Sequence, residues 1–173
     1  MPSILGINAY HGDASAALVI DGKLIAAVEE ERFNRIKHWA GFPAESIRWC
    51  LKTGGIDPGD LDHVAISFNP AANMLRRFTY VARHRPSLKA IVDRLKRQGK
   101  TFSLEDQFAD AVGLPAQKLK ARFHRIEHHE THIAAGYLIS PHDEAAVLSV
   151  DGMGDFTSTI TAHAKGASWG ELD

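Results

Sequence analysis

The sequence predicts a mixed α/β fold: a first domain with a βββαβ core and a helical insertion, then the first hairpin of a second, similar domain. Three observations carry this. The chain opens with three short apolar runs joined by turn residues, and a helical pattern and a fourth apolar run follow. A strand, a polar glycine stretch, a second strand and a turn then occur twice, once near each end. With 173 residues, 45% hydrophobic and 24% charged, the chain is long enough for one good core or for one domain plus part of another.

Ile4–Asn8, Ala16–Ile20 and Leu24–Glu29 read as strands, and Asp21-Gly22 signals a hairpin between the second and third. Pro43 at the start and Gly54-Gly55 at the end bracket an amphipathic helix with Ile47, Cys50 and Leu51 on one face. After the turn Asp57-Pro58-Gly59-Asp60, Val64–Phe68 is a fourth strand. Ser103 caps another helix, which ends near Gly113 and before Pro115. Phe123–Glu127 returns as a strand, and the histidine-rich segment after it continues as a helix to about Ser140-Pro141. Ala145–Val150 and Thr157–Ala164 form a hairpin, with another turn at Lys165-Gly166. The first domain is thereby expected over residues 1–142, with its insertion at about 72–120, and the second begins at 143–173.

The net charge of −1 conceals a basic block between Met74 and Lys100, where nine Lys and Arg residues face Asp93 alone. Such a block could meet an anion. It carries few aromatics and no nucleic-acid motif, so a solvated helical hairpin face is expected, with no nucleic-acid partner. The single cysteine, Cys50, excludes an internal disulfide and suits a reducing compartment. No secretion signal and no run of about 20 apolar residues is present, so a cytoplasmic protein without a membrane partner is expected.

The chemistry concentrates in Glu127-His128-His129-Glu130-Thr131-His132 and in Asp151-Gly152-Met153-Gly154-Asp155. Residues four apart on a helix share a face, so His128 and His132 can point at one ion. Small glycines between carboxylates let backbone N–H groups approach a phosphate, while an Asp offers a hard oxygen to a cation. Two imidazoles and the Asp151 carboxylate suit a borderline ion such as Fe²⁺ or Zn²⁺ and leave positions open for phosphate oxygens. Asp151, Gly152, Gly154 and Asp155 are the expected nucleotide-binding residues. His124 and His129 are assigned no ligand role. A metalloprotease would need its glutamate directly after the first histidine, and Glu130 is not there.

His11-Gly12-Asp13-Ala14-Ser15-Ala16-Ala17, Glu29-Glu30-Glu31-Arg32-Phe33 with Arg35 to His38, the histidine helix and the Asp151–Asp155 stretch occur in this order. In these motifs the chain resembles the amino-terminal part of the carbamoyltransferases of nodulation and antibiotic tailoring. Those proteins sit in the actin, sugar kinase and Hsp70 superfamily, whose domains are ribonuclease-H-like and close on a nucleotide. The resemblance implies a mechanism in which a carboxy-terminal domain of the same protein makes carbamoyl adenylate from ATP and carbamoyl phosphate. The carbamoyl group then passes to a hydroxyl of a small-molecule acceptor. It also implies that His128, His132 and Asp151 hold the metal that anchors the adenylate phosphate, and that His11 and Lys37 line the carbamoyl and acceptor end. His11 could polarise the carbonyl or take the hydroxyl proton, and Lys37 could stabilise an anionic acceptor or the charge that gathers on the carbonyl oxygen. These enzymes are typically several times longer, so this chain alone is expected to be inactive. Gly12 between His11 and Asp13 is not universal in them. Glu29 to Glu31 with Arg32 is expected to form a strand end and an ion-pair network. A homodimer is compatible with all of this. The alternative is a metal- and nucleotide-binding ATPase-type module without transfer activity, which a nucleotide-activating domain downstream would disfavour.

Overall fold

The computed structural model describes residues 2–84 and 103–172, which divide into two compact units. The first comprises Met1–Ser67 and Ser87–Arg125, the second Phe68–Pro86 and Ile126–Asp173.

The first unit holds a five-stranded sheet built from β1 (Ser3–Asn8), β2 (Ser15–Ile20), β3 (Lys23–Glu29), β4 (His63–Ile66) and β5 (Arg122–Arg125), in the order β3-β2-β1-β4-β5. The β1–β2 and β2–β3 pairs are antiparallel, as short connections allow, whereas β1–β4 and β4–β5 are parallel and need longer crossovers. The opening meander is therefore present. Asp21 and Gly22 both have positive φ at the β2–β3 turn, the geometry that Asp-Gly favours.

Alternation along the strands sends Leu5, Ile7, Ala16, Leu18, Val64 and Ile66 inward. They meet α2 (Ala44–Gly54) and α4 (Leu104–Val112) through Ile47, Cys50, Leu51, Leu104 and Phe108, all 2% exposed or less. The Phe108 ring meets Phe123 edge-on at 5.8 Å, which ties α4 to β5. Helix α2 stops where Gly55 takes φ 64 and returns its N–H to Leu51 and Lys52. Ser103 caps α4 by accepting from Asp106 N–H, as its sequence predicts. Asp57-Pro58-Gly59-Asp60 forms a 3₁₀ turn.

The four-residue α1 (Glu31–Asn34) follows β3. Arg32 reaches Glu29 at 3.3 Å and Glu31 at 3.7 Å, the expected ion-pair network. Glu30 departs from it by turning inward, 5% exposed, to accept from the first amides of α2.

In the second unit, α5 (His128–Tyr137) packs on a three-stranded antiparallel sheet of β6 (Glu144–Gly154), β7 (Thr157–Lys165) and β8 (Ser168–Glu171). Ile133, Ile160 and Ala162 form its core, with Val147 and Trp169 against them. The expected hairpin is present, and β8 adds a third strand. The Asp151–Asp155 stretch differs from the expected loop, because β6 continues to Gly154 through a register shift after Val150. Helix α5 ends at Tyr137, short of Ser140. Of the basic block, Met74–His84 forms α3 and residues 85–102 lie outside the described residues. Among the described residues no helix is long and apolar enough to cross a membrane.

Candidate functional site

Glu127 opens α5 by accepting from Glu130 N–H at 2.8 Å, which sets the helical phase of the histidines that follow. His128 and His132 then lie one turn apart and project together. Their Nε2 atoms are 3.0 Å apart, and Asp151 Oδ2, from the end of β6, lies 2.7 Å from the first and 3.3 Å from the second. Two imidazole nitrogens and a carboxylate oxygen thus converge on one point, the only such group of three among the described residues. The donor set and its spacing fit a divalent ion of the Fe²⁺ or Zn²⁺ kind.

The three ligand candidates differ in exposure. The His128 side chain is 10% exposed, against 48% for His132 and 43% for Asp151, so the cluster is walled on one side and open on the other. The hydrogen bond from His128, helped by the Gly152 N–H, holds the Asp151 carboxyl well below the usual carboxylate range.

His129 is fully buried behind this pair. Its Nε2 lies 3.0 Å from the Thr157 carbonyl, which can only accept, so Nε2 carries the proton and Nδ1 accepts from the Ser149 hydroxyl at 2.7 Å. Both nitrogens are occupied, and the ring supports α5 on the sheet. No motif in the sequence marks Ser149. Its signal was a polar residue at an inward position of β6, in step with Ala145 and Val147.

The acidic glycine stretch splits in two. Asp151 and Gly152 lie on the exposed side, whereas Gly154 and Asp155 are buried behind His128. Asp155 Oδ2 accepts from His128 N–H at 3.0 Å and from Asn69 N–H at 2.8 Å.

His11 and Lys37 belong to the other unit. His11 lies in the β1–β2 loop and Lys37 is exposed in the turn after α1. The two segments are tied together by a contact of Asp13 Oδ1 with His38 Nδ1 at 2.9 Å and by Ala14 N–H donating to the Trp39 carbonyl. Tyr10, Asp13, Arg35 and His38 all take positive φ there, a conformation that costs non-glycine residues energy and clusters at working sites. His124 does not belong to the metal group; its Nε2 lies 3.0 Å from His63 Nδ1 across β4 and β5.

Comparison with known proteins adds the family. The chain is 37% identical over 172 residues to the uncharacterized protein sll1178 of Synechocystis sp., covering 96% of this chain and 28% of that protein. It is 32% identical over 160 residues to nodulation protein NolNO of Sinorhizobium fredii, covering 92% and 22% respectively. The chain therefore spans less than a third of the length of these relatives. YeaZ from Pseudomonas aeruginosa superimposes with a TM-score of 0.47 and 13% identity, over 99% of this chain and 67% of that one. The family model described as carbamoyltransferase N-terminus matches residues 3–169, nearly the whole sequence, and the chain belongs to that family.

Proposed function

We propose that this chain is the amino-terminal part of an enzyme that transfers a carbamoyl group from carbamoyl adenylate, made from carbamoyl phosphate and ATP, to a hydroxyl of a small-molecule acceptor. The observation that carries the reading is the convergence of His128, His132 and Asp151 within a match to the carbamoyltransferase N-terminus over residues 3–169. Similarity to NolNO along 92% of the chain supports it. So does the repeated antiparallel hairpin, β1–β2 and β6–β7, expected of an actin-like pair of domains that close on a nucleotide.

When bound, a divalent ion at this cluster supplies a Lewis acid for phosphate oxygens. His128, His132 and Asp151 hold it, and the exposed side of His132 and Asp151 leaves room for the phosphate. In the transfer step the acceptor oxygen forms a bond to the carbamoyl carbon, the bond from that carbon to the phosphate oxygen breaks, and AMP leaves. His11 takes the hydroxyl proton, and Lys37 stabilises the charge that gathers on the carbonyl oxygen. The Asp13–His38 contact holds the loops that carry these two residues.

The test supplies the full-length protein with ATP, carbamoyl phosphate and a panel of hydroxylated acceptors, and follows the product by mass. A carbamoylated acceptor, reduced at least about 100-fold by H11A or K37A, is the expected result. Nucleotide binding without product on any acceptor would replace this reading with that of a binding module.

A further inference from the structure

Gly154 approaches His128 more closely than any side chain would allow. A Cβ placed on Gly154 would stand 2.0 Å from Cδ2, 2.2 Å from Cγ and 2.7 Å from Cβ of His128, whereas carbon atoms in contact prefer about 3.5–4.0 Å. The last of these atoms is the root of the side chain, so a change of rotamer does not relieve the overlap. The neighbouring Asp155 is 7% exposed, and its Oδ2 receives the His128 N–H. Its carbonyl accepts from Asn73 Nδ2 at 3.0 Å. Asp155 and Phe156 hold φ of 46° and 72°, a corner that these contacts over-determine. The register shift between Val150 and Gly154 turns the strand, so that Asp151 and Gly154 reach the same imidazole from two sides.

We infer that Gly154 and Asp155 are positioning residues for His128: Gly154 leaves open the space that the imidazole fills, and Asp155 fixes the amide from which that side chain extends. This inference rests on the metal reading above. It reassigns the second half of the acidic glycine stretch from contact with a nucleotide to support of a metal ligand. The two readings separate cleanly, since a glycine kept for phosphate approach could become alanine without loss of metal affinity.

The experiment uses Zn²⁺ alone, in competition with a chromogenic chelator, together with thermal unfolding of the metal-free protein. The proteins are wild type, G154A, D155N, H128A and H128A/G154A. We expect G154A to weaken Zn²⁺ binding about 10- to 100-fold and D155N about tenfold, as loss of a supporting contact does at metal sites. G154A should also lower the melting temperature of the metal-free protein, and that loss should shrink in H128A, which removes Cγ and Cδ2 and leaves only the overlap with Cβ. Wild-type Zn²⁺ affinity in G154A, or an undiminished melting loss from G154A in the H128A background, overturns the inference. If G154A alone does not fold, H128G/G154A, which removes His128 Cβ as well, decides: its folding supports the steric pairing and its failure refutes it. If wild type binds no Zn²⁺, the metal reading falls, and the melting-temperature coupling decides whether Gly154 holds His128.

Discussion

Glu30 caps α2 from outside the helix, its Oε2 accepting from Ser46 N–H at 2.8 Å and from the Ser46 hydroxyl at 2.7 Å. Its Oε1 accepts from Glu45 N–H at 3.1 Å. Orphan amides at a helix start otherwise need water, and Ser46 is fully buried. E30A should therefore cost about 1.5–3 kcal/mol, the range for hydrogen bonds to a charged group, measured by urea unfolding. E30Q keeps one acceptor oxygen and should cost less. Equal costs for the two would contradict a capping role.

Asp62 should titrate below an ordinary aspartate. Its Oδ2 accepts from Ser3 N–H at 2.8 Å and from Ser3 Oγ at 2.9 Å, contacts that favour the ionised form. A folded pKa depressed below the unfolded one adds stability above the unfolded value, and that contribution is lost as pH falls through the folded value. NMR titration should show the Asp62 carboxyl below 3.8 in wild type and closer to 3.8 in S3A. No change in S3A would show that the serine hydroxyl is not the cause.

His129 should prove structural. H129F removes both polar contacts and leaves the Ser149 hydroxyl and the Thr157 carbonyl without that partner, at a cost of about 2–4 kcal/mol in unfolding free energy. H129F/S149A should recover part of the loss, because one of the two stranded groups is gone. Failure of the second substitution to recover any stability would place the cost elsewhere.

Metal content tests the cluster directly. After reconstitution with Fe²⁺ or Zn²⁺, the protein should hold close to one ion per chain, and H128A/H132A should hold about none. Acid should release the ion, because protons compete for the histidine nitrogens. Equal metal in wild type and the double variant would remove the assignment.

The strand-forming runs, the Asp21-Gly22 turn, the Ser103 cap and the four-residue spacing of His128 and His132 are all local properties, and local periodicity and capping chemistry suffice to read them. The order of the motifs was legible too, and with it the family. What the sequence by itself could not decide is which atoms meet. That Asp151 lies against both histidines whereas Asp155, four residues on, turns beneath His128 depends on a register shift in β6. A bulge reverses inside and outside over a few residues, and nothing in Asp-Gly-Met-Gly-Asp announces it. Glu30 among three consecutive glutamates is the same case, since its neighbours reach Arg32 and it reaches α2. Identical residue types were separated only by burial. A buried carboxylate must find donors wherever the fold supplies them, and those donors come from residues distant in the chain.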